Sequence, residues 1–189
     1  MADRWLVVGL GNPEHEYGGT RHNVGADVAR VLAANLGVSF KAHKTGVLLA
    51  DAIGEGGRPL SIAIPSGYMN ESGGPVQRLL AFYKVPLEQF VVVHDEIDLP
   101  HAALRLKFGG GTAGHNGLKD VQRRLGSPEF HRVRIGVGRP PGRQDPADYV
   151  LRRFTTKERE EIDVTVAEAV DAIKMLVASG LEAAQNRYH

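Results

Sequence analysis

The segment from Trp5 to Gly25 narrows the choice of fold more than any other part of the chain. Trp5-Leu6-Val7-Val8 is a short apolar run closed by Gly9, then comes a polar, glycine-bearing turn, then a helix-period stripe of Val24, Val28, Val31, Leu32 and Leu36. A nearly continuous apolar run of this length reads as a strand covered on both faces. Strand, tight turn and amphipathic helix in that order point to an α/β sheet. The turn sets Asn12 at the strand's carboxyl end and His22 at the helix entry, with Asn23 expected to cap the helix. Open α/β sheets bind ligands in such a crevice. Gly9-x-Gly11 is half of a dinucleotide fingerprint, but Glu14 stands at the third glycine and Pro13 interrupts the turn, which argues against a nicotinamide or flavin site.

Strand and helix signals recur along the chain. Gly46 to Ile53 and Leu60 to Pro65 read as a hairpin around Gly54-Glu55-Gly56-Gly57, and Pro75 suits the first turn of a helix through Val76, Leu79, Leu80 and Tyr83. Phe90-Val91-Val92-Val93 is the clearest buried strand, with His94-Asp95-Glu96 attached to its end. Leu104 to Phe108 and Val133 to Gly138 are further strands, the second flanked by Arg132, Arg134 and Arg139. Between them lie a glycine-rich loop, Gly109 to Gly117, and a short helix. Thr155 to Ser179 is an amphipathic helix closed by Gly180. The expected architecture is α/β: a single domain over 1–189, a twisted mixed β-sheet flanked by helices on both faces.

Composition removes several chemistries. There is no cysteine, so disulfides, thiolate metal sites and a cysteine nucleophile are excluded, and a reducing cytoplasm is the expected compartment. No apolar run approaches the length of a membrane span, and no signal-peptide core opens the chain, so no membrane association is expected. The net charge of +1 hides a basic block: residues 101 to 155 carry 11 Lys and Arg against 4 Asp and Glu. A block of that sign points to a polyanionic partner.

Other catalytic signatures are incomplete. His94-Asp95-Glu96-x-Asp98 with His115 resembles a metal site, but no second carboxylate-rich segment supplies the remaining ligands and no His-Glu-x-x-His occurs. A serine elbow is missing as well. A hydrolytic site would then rest on water activated by a base, and His22 is matched to that work near neutral pH. Asp95 could fix its tautomer or stabilise its charged form, and the helix beginning at Asn23 would oppose premature protonation. Asn12, Asn70 and Asn116 would supply neutral donors and acceptors for amides or an oxyanion, although loop asparagines are equally turn formers. In the Gly109 to Gly117 loop, backbone N–H groups can turn toward an anion, and Lys107 and Arg134 flank it, which suits a phosphate.

Taken together, Gly9-Leu10-Gly11-Asn12-Pro13, Tyr17 with Thr20-Arg21-His22-Asn23-x-Gly25, Tyr68-Met69-Asn70, His94-Asp95-Glu96-x-Asp98, Gly109-Gly110-Gly111-x-x-Gly114-His115-Asn116-Gly117-Leu118-Lys119, Arg134-Ile135-Gly136-x-Gly138 and Arg153-Phe154 strongly resemble the bacterial-type peptidyl-tRNA hydrolase family. The resemblance spans essentially the whole chain in order. It departs from the family pattern at Ala113, a place often occupied by glycine. What it implies is an esterase that cuts the bond between a peptide and the 3′ end of tRNA, with no metal and no organic cofactor. By position, His22 resembles the family's catalytic base and Asp95 its partner. Asn12, Tyr17, Tyr68, Asn70, His115 and Asn116 fall at the peptidyl-binding side, and Lys107 and Arg134 match a clamp for the 5′ phosphate of tRNA. The expected partner is peptidyl-tRNA, with no obligate protein partner and a monomeric chain. The alternative is a non-catalytic RNA-binding module on the same scaffold.

Overall fold

A computed structural model describes residues 3–189. Its strands β1 (Trp5–Gly9), β2 (Lys41–His43), β3 (Val47–Ile53), β4 (Pro59–Pro65), β5 (Phe90–Glu96), β6 (Leu104–Phe108) and β7 (His131–Gly136) form one sheet in the order β2-β3-β4-β1-β5-β7-β6. The central pairs β4/β1, β1/β5 and β5/β7 are parallel, whereas β2/β3, β3/β4 and β6/β7 are antiparallel. The helices are α1 (Glu14–Tyr17), α2 (Val24–Asn35), α3 (Gly73–Tyr83), α4 (Asn116–Leu125), α5 (Pro146–Val150), α6 (Thr156–Ser179) and α7 (Leu181–Tyr188).

The expected mixed sheet with helices on both faces is what the chain forms. Side chains alternate across a strand, so β1 and β5 feed two cores. Val7, Val91 and Val93 join Val28 and Leu32 of α2 and Ile162, Ala169 and Ile173 of α6 on one face. Leu6, Val8, Phe90 and Val92 join Val76 and Leu79 of α3 and Leu118 and Val121 of α4 on the other. Burial of both faces explains why these strands read as unbroken apolar runs. None of the helices described is long and apolar enough to cross a membrane.

Several local readings change. Strand β5 does not end at Val93 but continues through His94, Asp95 and Glu96, all buried, so Asp95 is part of the strand itself. Asn23 makes no side-chain cap to α2, because its amide is used elsewhere. Val31 is 42% exposed and leaves the stripe. Arg132 does not flank β7 but lies within it, 1% exposed. Four elements were not anticipated: α1, β2, α5 and α7. The last of these closes the edge of β6, where Leu106 N–H donates to His189 Nε2 at 2.8 Å and Gln185 Nε2 donates to Leu106 O at 3.0 Å. Edge strands commonly need such cover.

Candidate active site

Two glycines bring the first turn onto β5. A Cβ at Gly25 would lie 2.2 Å from the Val93 carbonyl oxygen, and one at Gly9 would lie 2.3 Å from the Gly25 carbonyl oxygen. Only bare backbone permits that approach. Leu10 N–H donates to Val93 O and Ala26 N–H to Leu10 O, both at 3.1 Å, locking β1, β5 and the start of α2 together. A 3-10 turn over Arg21–Asn23 then holds His22 beside the end of β5.

His22 Nδ1 meets Asp95 Oδ2 at 2.8 Å. His115 Nε2 meets the other carboxylate oxygen, Oδ1, also at 2.8 Å. Leu118 N–H donates to His115 Nδ1 at 3.2 Å, capping α4 with an imidazole. That bond makes Nδ1 of His115 the acceptor and Nε2 the protonated nitrogen, so both of its nitrogens are engaged. An ionised Asp95 likewise accepts a hydrogen bond from the N–H at His22 Nδ1, leaving His22 Nε2 as the basic nitrogen.

Burial raises the Asp95 carboxyl, but the charges and hydrogen bonds of His22 and His115 outweigh it and hold the group below the ordinary carboxylate range. For His22, burial opposes protonation, yet the charge and hydrogen bond of Asp95 lift its pKa above the ordinary 6.5. The carboxylate thus outweighs burial and sets the net direction.

His22 forms part of the wall of a cavity of about 270 Å³, together with Asn12, Tyr17, Tyr68, Asn70 and Asn116. Asn12 Oδ1 accepts Met69 N–H at 2.8 Å, which ties the β1 turn to the turn after β4. Asn23 fixes the backbone of Asn12 from behind, accepting its N–H at 2.8 Å and donating to its carbonyl at 2.9 Å. Tyr17 and Tyr68 meet edge to face, and the Tyr68 hydroxyl donates to Glu16 at 2.7 Å. A smaller cavity of about 90 Å³ adjoins His22 and Asp95 and is lined by Glu96, Ile97, Gly114 and His115. His115, expected among the peptidyl-binding groups, borders this second cavity and braces Asp95.

Ala147 and Val150 of α5 line both cavities. Arg21 anchors that helix: its guanidinium lies 4.2 Å from the Tyr149 ring centre and donates to the carbonyls of Tyr149, Arg152 and Arg153. Neither α5 nor Asn23 was read as part of the site. Asp145 before Pro146 is a helix-start signal, and here the Asp145 carboxylate accepts Ala147 N–H at 3.0 Å.

Lys107 and Arg134 lie outside both cavities, half-buried on one face of β6 and β7. Burial and the nearby charges of Arg134 and Arg132 lower the affinity of Lys107 for its proton. An arriving anion would relieve that repulsion.

His22, Asp95 and His115 are also the one group of three metal-type ligands among the described residues, their ligand atoms within 4.8 Å of one another. Those atoms bond to each other, with protons on both nitrogens that face the carboxylate. A metal there would have to displace both protons.

The model of the peptidyl-tRNA hydrolase family matches residues 6–189. The chain belongs to this family. It is 52% identical over 189 residues to a peptidyl-tRNA hydrolase of Mycolicibacterium smegmatis, covering 100% of this chain and 99% of the relative. Against that of Kineococcus radiotolerans it is 50% identical over 195 residues, with 100% and 98% covered. The crystal structure of peptidyl-tRNA hydrolase from Acinetobacter baumannii superposes with a TM-score of 0.92 at 35% identity, covering 100% of this chain and 95% of that one. The family and the fold expected from the motifs are thus both found.

Proposed function

We propose that the chain hydrolyses the ester joining a peptide to the 3′ end of tRNA, with His22 as the base and Asp95 as its partner. The supporting observation is the 2.8 Å contact between His22 Nδ1 and a buried Asp95 at the wall of a cleft shared with three asparagines. In this reading His22 Nε2 takes a proton from a water molecule as its oxygen attacks the ester carbonyl carbon. The carbonyl π electrons move to oxygen, and neutral amide donors from Asn12 or Asn116 meet the developing oxyanion. When the tetrahedral species collapses, the C–O bond to the ribose breaks and the imidazolium returns its proton to the leaving 3′ oxygen. Asp95 stabilises the imidazolium and keeps Nδ1 protonated throughout.

Lys107 and Arg134 would hold phosphate of the acceptor stem outside the cleft. Tyr17, Tyr68 and Asn70 would contact the peptidyl part, so the substrate's blocked amino group is read as an amide. The proposal includes a cytoplasmic monomer that needs no protein partner. Its test is turnover of N-acetylaminoacyl-tRNA and of free aminoacyl-tRNA in excess chelator. The blocked substrate is expected to be cleaved and the free one spared. Loss of turnover in chelator would shift the reading to a metal site. tRNA binding without any turnover would leave only an RNA-binding module.

A further inference from the structure

In the loop between β6 and α4, side chains hold the carbonyls of Gly110 and Gly111. Arg132, whose side chain enters the loop from beneath, donates from Nη1 to Gly111 O at 2.7 Å and from Nη2 to Gly110 O and Pro128 O at 3.0 Å each. Gln122 Nε2 adds a second donor to Gly110 O at 3.2 Å. The guanidinium carbon sits 4.5 Å from the Phe130 ring centre, and its Nε has no partner. Gly109 N–H bonds to Phe130 O and His115 N–H to Thr112 O, but the five N–H groups of 110–114 find no backbone acceptor. Gly110, Ala113 and Gly114 have φ of 107°, 48° and 80°, so the backbone repeatedly turns its amides.

Cations surround these donors. A Cβ at Gly110 would lie 2.6 Å from Lys107 Nζ, so the ammonium rests against the loop backbone. Arg134 lies on the same sheet face: Lys107 pairs in register with Arg132, and Arg105 with Arg134. The carboxylates nearby are Glu129, beside Gly109, and Glu96 at the end of β5. The loop gives its Gly110 and Gly111 carbonyls to one buried cation while the N–H groups of 110–114 bond to no backbone carbonyl, an arrangement suited to an anion.

We infer that Arg132 is a positioning residue that holds 110–114 as an amide cradle for a phosphate group, completing with Lys107 and Arg134 one anion site beside the cleft. The identity of that phosphate rests on the proposed tRNA substrate; the cradle itself does not. A lysine cannot replace Arg132, because one ammonium does not reproduce a planar fork reaching three carbonyls.

Amide chemical shifts of the isotopically labelled wild-type protein test the cradle directly. The probes are inorganic phosphate and an acceptor-stem duplex with or without its 5′ phosphate. Saturable shifts at 110–114 with inorganic phosphate are expected. Larger shifts with the phosphorylated duplex would assign a terminal phosphate, and equal shifts with both duplexes would assign a backbone phosphate. Silent amides under conditions where Lys107 and Arg134 respond would overturn the cradle while sparing the clamp. In turnover, Arg132→Lys and Arg132→Met are expected to raise KM by about tenfold with kcat within about twofold. A fall in kcat without a rise in KM would instead mark a merely structural residue. If neither variant folds, the wild-type titration alone decides.

Discussion

Asp95 and Arg132 are both charged and almost wholly removed from water, 3% and 1% exposed, but they are compensated in different ways. Asp95 is met by two imidazole N–H groups, one of which belongs to a side chain that must gain and lose a proton. Arg132 is met by fixed backbone carbonyls and has other cations as neighbours. A negative charge kept dry beside a base is ready for the positive charge that arises during turnover. A positive cluster at the half-exposed edge of the sheet is ready for charge brought by the substrate. The first region should therefore respond to pH and hardly to salt, and the second to salt and hardly to pH.

The largest effect expected from breaking this division is that of His22→Ala. Removing the base should lower kcat by roughly 100 to 10,000-fold, while the salt dependence of tRNA binding stays that of the parent. Rate measurements at saturating substrate and binding isotherms across a salt series check the two halves separately. A variant that keeps most of its rate would remove His22 from the role of base.

Asp95→Asn comes next and acts on pH as well as rate. In the parent, Asp95 holds the His22 pKa above 6.5, so the neutral base accumulates only as pH climbs through that raised value, and the acid limb of kcat/KM should have its midpoint above 6.5. Without the carboxylate only burial remains, and the midpoint should fall below the parent's. The neighbouring His94 does not blur the profile, because burial and the nearby His115 push its pKa down to about 3. Stability follows the same logic. The raised His22 contributes stability that is full below 6.5 and fades as pH rises through its folded value. The depressed Asp95 contributes stability that is full above 3.8 and disappears as the solution is acidified. Urea titrations should place the parent's greatest stability between those limits and show a flatter profile for Asp95→Asn. An unmoved acid limb would mean that Asp95 acts chiefly through orientation.

How legible each region was in the sequence follows from the kind of force that shapes it. Val7, Val91 and Val93 announced a two-sided sheet because burial on both faces leaves an unbroken apolar run. His22 and Asp95 could be paired on paper because strand ends in such sheets share one rim. The bonds of Asn23 were not legible: a cap and a brace for Asn12 require the same residue type in the same place, and only the backbone of Asn12 at hydrogen-bond distance separates them. Arg132 was misread for a similar reason. An arginine beside a strand normally points to water, and nothing local shows that the Gly110 and Gly111 carbonyls of a distant loop, with that of nearby Pro128, are waiting for it. Helix α5 had its signal in Asp145 and Pro146, masked by a segment rich in proline and glycine. Ala113 carries a left-handed φ of 48°, so a conformation suited to glycine persists there even with a side chain present.

The smallest expected effects belong to Lys107→Ala and Arg134→Ala, and they test the salt-sensitive half. Each should weaken tRNA binding and reduce the slope of log affinity against log salt by about 0.7 to 0.9, the share of one phosphate contact. Both variants should keep the parent's acid limb, because neither residue bonds to His22 or Asp95. The two cations lie on adjacent strands of one face, and if they hold the same phosphate, the double variant should lose less than the sum of the single losses. Full additivity would assign them to separate phosphates along the stem. Unchanged slopes would place the cationic contact elsewhere in the basic block, and an acid limb that moved with either substitution would show that the two regions share one field.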